Sequence, residues 1–109
     1  MGMDFRINNL LASIDSNCAR PFCITSLAQQ VNLSASRCHS LFKNNVGISP
    51  LKYVQNLRLE RACSLLETSF LTIKEIMHVV GFNDRSYFGR TFKKAYGLTP
   101  IAYRKRSHD

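Results

Sequence analysis

The sequence predicts an all-α fold of about seven helices, on three observations. Apolar residues recur at the i, i+3, i+4, i+7 spacing of helices buried on one face. No stretch of useful length alternates apolar and polar residues as a half-buried strand would. One twelve-residue phrase is written twice, FKNNVGISPLKY from Phe42 to Tyr53 and FKKAYGLTPIAY from Phe92 to Tyr103, at an offset of 50. A chain of 109 residues holds one or two compact units, and its 45% hydrophobic and 20% charged residues suit a globular protein rather than a disordered or fibrous one.

The elements follow in order. Ile7, Leu10, Leu11 and Ile14 place a first helix, which Pro21 should stop. Ile24, Leu27, Ala28 and Val31 repeat the spacing over a short second helix. After the break NLSAS, Cys38, Leu41 and Phe42 face inward from a third. A longer fourth helix should start at Pro50 and run to about Glu67, burying Val54, Leu57, Ala62, Leu65 and Leu66. Thr72 and Glu75 have capping-box spacing, in which each side chain satisfies a free backbone N–H at the other's position, and they open a fifth helix with Ile73, Ile76, Met77 and Val80 inward. A sixth begins at about Arg85, and TPIAYRKR makes a short seventh.

Each copy of the doubled phrase reads as one helix end and the next helix start. Phe42 or Phe92 anchors a helix in the core, and Gly47 or Gly97 supplies the left-handed residue that ends it. Ser49-Pro50 or Thr99-Pro100 then offers a hydroxyl N-cap followed by proline at the first helical position, where its missing N–H costs nothing. Upstream of each copy stands a short helix, a tight turn and a second helix. The turns carry Asn32 and Gly81, residue types that tolerate positive φ, followed by apolar Leu33 and Phe82 to pin them to the core. The second turn is one residue longer, and the two copies realign by 50 from Ser36 and Ser86 onward. This is helix-turn-helix chemistry, in which the second helix lies in the major groove of DNA; the bland alternative is a pair of plain helical corners.

Charge and the outer helix faces favour the first reading. Fifteen Lys and Arg against seven Asp and Glu leave a formal +8, for which an acidic polymer is the natural partner. Arg85, Arg90, Lys93, Lys94, Arg104, Lys105 and Arg106 lie in a stretch with no carboxylate between Asp84 and Asp109, although a merely solubilising face would look the same. On a wheel of the third helix Ser36, His39, Ser40 and Lys43 point outward with Arg37 flanking. On the sixth, Phe88 and Phe92 point inward and Ser86, Arg90 and Lys93 outward, with Arg85 at the mouth and Tyr87 and Lys94 flanking. These eleven side chains are the candidate DNA contacts, suited to base edges and phosphates, Arg above all because its planar fork matches guanine O6 and N7.

Other classes find less support. The histidines at 39, 78 and 108 are scattered, with no nucleophile and base pair and no metal cluster, so neither an enzyme nor a cofactor is expected. Cys18, Cys23, Cys38 and Cys63 form no C-x-x-C pair and are expected to be reduced and mostly buried. No apolar run approaches the roughly 18 residues needed to span a bilayer, and the start MGMDFRINNLL lacks a signal-peptide layout, so the expected location is the cytoplasm. An RNA-binding or protein-binding helical module on the same helices stays open as an alternative.

The second copy, IKEIMHVVGFNDRSYFGRTFKKAYGLTPIAYR, resembles the C-terminal signature of the AraC/XylS family of bacterial transcription regulators, and the resemblance covers about Ile7 to Arg104. The family pattern is met at Gly81, Phe82, Asp84, Ser86, Tyr87, Phe88, Arg90, Phe92, Lys93, Gly97, Thr99, Pro100, Tyr103 and Arg104. The resemblance implies an N-terminal helix-turn-helix subdomain over 4–48, a connecting helix over 49–68 and a C-terminal subdomain over 69–106, presenting two recognition helices to successive major grooves. It implies a monomeric, nucleoid-associated activator of promoter DNA that contacts RNA polymerase and no membrane. Asn32 stands where the family often has Gly, and Met77 where it often has Ala. Ser40 takes the place of a base-reading Arg found in some members, so the first recognition helix is expected to read DNA through Arg37, His39 or water. Only about twenty residues precede the second helix, which suits either a short stand-alone activator or the DNA-binding part of a longer effector-responsive chain; the MGM start suits the second.

Overall fold

The computed structural model describes residues 4–108, so Met1 to Met3, the MGM start among them, and Asp109 lie outside the described residues. The described residues form seven helices: α1 (Phe5–Asn17), α2 (Ile24–Gln30), α3 (Ala35–Val46), α4 (Pro50–Thr68), α5 (Ile73–Val80), α6 (Arg85–Tyr96) and α7 (Pro100–Ser107). No strand occurs among the described residues, and none of their helices is long and apolar enough to cross a membrane. The chain divides into two compact units, one up to Leu57 and the other from Arg58 onward, so it passes from one to the next inside α4.

In the first unit, Ile7, Leu10 and Ile14 of α1 meet Leu27 and Ala28 of α2, Cys38 and Phe42 of α3 and Val54 of α4 in one buried cluster. Asp4 caps α1 by accepting from the Arg6 N–H at 2.8 Å. That helix stops at Asn17, earlier than the expected terminator Pro21: the Asn17 side-chain amide donates back to the Ser13 carbonyl at 2.9 Å, and the Arg20 N–H donates to the Asn17 carbonyl at 3.0 Å, which turns the chain before the proline is reached.

In the second unit, Leu59, Ala62, Cys63 and Leu66 of α4 pack against Ile76, Met77 and Val80 of α5, Phe82 of the turn, and Phe88 and Phe92 of α6. Aromatic rings run through this core: Phe82 and Phe88 centroids lie 5.0 Å apart, Phe88 and Phe92 6.0 Å, and Phe92 and Tyr103 5.5 Å. Full burial of each Phe contributes about 1.5–3 kcal/mol. The inward face of α4 departs from its expected set. Val54, Ala62 and Leu66 are buried and Leu57 and Leu65 half-buried, but Arg58, Leu59 and Cys63 are buried as well. A helix that feeds two cores needs more than one stripe: Val54 belongs to the first cluster and Leu59 onward to the second. Arg58 is only 8% exposed, with its guanidinium carbon 5.8 Å from the centre of the Phe82 ring, a cation–π contact that helps an apolar site accept the charge.

The helix ends are built as their residues dictate. Ser34, Ser49, Thr72, Asp84 and Thr99 each accept a hydrogen bond from the backbone N–H three residues on, at 2.9–3.2 Å. The Glu75 carboxylate in turn accepts from the Thr72 N–H at 3.0 Å, completing the capping box and holding its carboxyl below the usual range. Gly47 (φ 97°) and Gly97 (φ 79°) close α3 and α6, donating to Lys43 and Lys93 carbonyls at 2.8 and 2.7 Å. A Cβ on either would meet nothing within 4 Å, so backbone strain is the whole cost of adding one. Gly97→Ala is therefore expected to lower stability by about 1–2 kcal/mol, and Gly97→Asn by less, because Asn visits the left-handed region more readily. Urea denaturation checks it; equal losses for the two variants would point to crowding instead.

None of the four cysteines is in a disulfide; Cys18, Cys38 and Cys63 are buried and Cys23 is exposed. Burial pushes the Cys38 and Cys63 thiols up, whereas hydrogen bonding with Ser26 holds that of Cys23 down.

Candidate nucleic-acid interface

In the first unit α2 ends at Gln30 and the chain reverses through Asn32 at φ 58°, the one non-glycine residue with positive φ among those described. Asn suits this place because its short polar side chain lowers the cost of the left-handed conformation. The Leu33 N–H donates to the Ala28 carbonyl at 3.0 Å and its side chain packs on the core, which pins the turn. Ser34 then starts α3. Cys38 and Phe42 are fully buried, so the helix can rest on its support in only one rotation, and Ser36, Arg37, His39, Ser40 and Lys43 are all exposed.

The second unit repeats the device. Gly81 at φ 106° reverses the chain after α5, the Phe82 N–H donates to the Met77 carbonyl at 2.9 Å, and the Phe82 ring is buried. These two bonds locate the extra residue. Leu33 and Phe82 hold equivalent positions, yet Ser34 follows Leu33 directly while Asn83 stands between Phe82 and the cap Asp84. With Phe88 and Phe92 buried, α6 turns Arg85, Ser86, Tyr87, Arg90, Lys93 and Lys94 outward. Tyr87 is 40% exposed, its ring 6.1 Å from that of Phe82, so it is partly held while its hydroxyl end reaches solvent.

Every candidate residue thus lies on an exposed helix face, five on α3 and six on α6; six of the eleven are Arg or Lys and none is acidic. Such faces supply cations for phosphates and forked or hydroxyl donors for base edges. The basic stretch from Arg85 to Arg106 is not uniform, however. Arg104 turns inward and donates to three backbone carbonyls, Leu66 from Nε at 3.3 Å, Leu71 from Nη1 at 2.6 Å and Ser69 from Nη2 at 3.2 Å, whereas Lys105 and Arg106 stay exposed. Composition counted Arg104 with the solvated charges; the fold employs it at the end of α4. Residues missed by sequence reasoning are Arg6 on α1 and Asn44 on α3, which border the same face of α3 as Ser36, Arg37 and Ser40. No local pattern links Arg6 to a helix thirty residues away.

Two units, each with a helix-turn-helix whose second helix carries a basic outer face, define a DNA-binding class of fold. A family model described as a helix-turn-helix domain matches residues 27–106. The chain is 37% identical over 101 residues to the HTH-type transcriptional regulator AlkR of Acinetobacter baylyi, covering 93% of this chain and 33% of that protein. It is 38% identical over 104 residues to the HTH-type transcriptional activator RhaR of Pectobacterium carotovorum, covering 95% and 35%. The C-terminal domain of AraT, a response regulator from Geobacillus stearothermophilus, superposes with a TM-score of 0.91 at 28% identity, over 97% of this chain and 88% of that one. The chain belongs to the AraC/XylS family of helix-turn-helix transcription regulators and spans about a third of the length of the curated relatives it matches.

Proposed function

We propose that this chain binds duplex DNA at specific promoter sites and activates transcription, with α3 and α6 each entering a major groove. The observation that carries the reading is the repeated one: in each unit buried aromatic side chains lock the rotation of a capped helix, and every outward side chain picked out by the helical wheel is exposed. Residues 4–48 and 69–106 are then the two reading segments and 49–68 connects them. Lys43, Arg85, Lys93 and Lys94 meet phosphates, while Ser36, Arg37, His39, Ser40, Ser86, Tyr87 and Arg90 face base edges or the waters on them. Family membership and relatives named as regulators and activators support the regulatory role. On this reading the protein works in the cytoplasm as a monomer, with RNA polymerase as its partner.

Selection from random duplexes, followed by footprinting and by titration over a range of salt, tests this. About six neutralised phosphates give a slope of log K against log[salt] near −5, from about 0.9 per contact. Two separate protected segments are expected on the selected duplex. A slope near zero, or tighter binding to single-stranded RNA of any sequence than to the selected duplex, would sink the reading; a single protected segment would leave one recognition helix without a role.

A further inference from the structure

We infer that Arg6, in the first turn of α1, contacts a backbone phosphate of the bound duplex through a cleft that it shares with the outward face of α3. The inference rests on the DNA-binding reading above and adds a contact from outside the helix-turn-helix itself. A cleft of about 360 Å³ is lined chiefly by Arg6, Ser36, Arg37, Ser40 and Asn44, and no carboxylate lines it. Ser36, Ser40 and Asn44 succeed one another at i, i+4 and i+8, so they form one ridge of hydroxyl and amide groups along α3, with a guanidinium from α1 opposite. Such a ridge can face base edges while the guanidinium across from it holds a phosphate oxygen.

Arg6 is also arranged to meet a second anion. Its Nε and Nη2 engage the Asp4 carboxylate at 3.3 and 3.2 Å, which occupies one edge of the guanidinium, while the side chain stays 43% exposed. Asp4 itself is held by the cap it provides, accepting from the Arg6 N–H at 2.8 Å, so its carboxylate competes with a phosphate for the guanidinium without covering all of it. The Nη1 edge is left to donate, and a planar fork of this kind matches a phosphate. A phosphate fits better than a base edge because a helix lying in the major groove has sugar-phosphate backbone along its flanks, and Arg6 reaches the flank of α3 from another helix.

The test measures affinity of the full chain for the selected duplex and for a scrambled one at several salt concentrations, with helicity followed by circular dichroism. Arg6→Ala is expected to bind both duplexes about five- to tenfold more weakly and to make the salt slope shallower by about one. Arg6→Lys should keep the slope and recover part of the affinity. Asp4→Asn keeps a good N-cap while removing the competing charge, so it should tighten binding to both duplexes. Arg6→Ala with native helicity and an unchanged slope, or with a loss confined to the selected duplex, overturns the inference. If Arg6→Ala loses helicity, Asp4→Asn decides, and no gain in its affinity is the overturning result. Wild-type protein that binds no duplex removes the DNA-binding reading and this inference together, whereas wild-type binding matched by Arg6→Ala removes the inference alone.

Discussion

Replacing Arg104 with alanine is expected to lower the stability of the protein by about 3 kcal/mol, although no sequence pattern marks the residue as structural. The last carbonyls of α4 have no partner within the helix, as at any helix C-terminus, and the linking segment to α5 adds the carbonyls of Ser69 and Leu71. One planar guanidinium reaches three of these oxygens, those of Leu66, Ser69 and Leu71. Hydrogen bonds from a charged donor are worth about 1.5–3 kcal/mol each when buried; these lie at a half-buried site and share one donor, which brings the sum down to about 3. The neighbouring Tyr103 acts alongside. Burial first, then hydrogen bonding with Cys63 and Glu67, pushes its hydroxyl up to about 12, so at neutral pH it remains a donor to the Glu67 carboxylate at 3.1 Å. Arg104→Lys should recover little, because an ammonium on a flexible stem cannot span three carbonyls at once. Thermal unfolding of the three proteins checks this, with a drop of roughly 10–20 °C expected for Arg104→Ala. A loss below about 0.5 kcal/mol, the range of ordinary surface changes, would mean that water replaces the guanidinium at little cost.

Arg90 and Lys93 should respond differently to truncation, although both are exposed cations one turn apart on α6. Arg90 follows Ser86 by four residues, in the middle of the exposed face, where a forked donor can bond O6 and N7 of one guanine. Arg90→Ala is therefore expected to cost about 1–3 kcal/mol on the selected site and much less on a scrambled duplex. Lys93 lies in the last turn of α6, nearer the groove wall, where a point charge finds a phosphate. Lys93→Ala should weaken binding to all sequences about equally and reduce the salt slope by about one. Both substitutions leave the buried Phe88 and Phe92 in place, so α6 keeps its rotation. Titration of each variant against both duplexes at two salt concentrations separates the roles. An Arg90→Ala variant that loses the same factor on specific and scrambled DNA would refute direct base reading.

Much of the fold was legible because its signals are local. A hydroxyl or carboxylate cap acts on an N–H three residues away, a left-handed glycine closes its own helix, and an apolar stripe repeats within one turn, so the starts of α3 to α7 and the inward Phe42, Phe88 and Phe92 could be read from neighbouring letters. The doubled phrase made the tandem architecture legible for the same reason. The early stop of α1 was less so, because a side-chain bond from Asn17 ended it before Pro21, the stronger punctuation mark, came into play.

By itself, then, the sequence determined seven helices, two helix-turn-helix units and the outward faces of α3 and α6, all set by interactions between residues a few positions apart. Only the tertiary structure decided which cations belong to the surface. Arg104 bonds carbonyls 33 to 38 positions earlier, Arg58 lies under Phe82, and Arg6 lines one cleft together with residues of α3. A charge is read as solvated until the fold brings a distant partner against it, and that partner is fixed by how the helices pack, which no local pattern encodes.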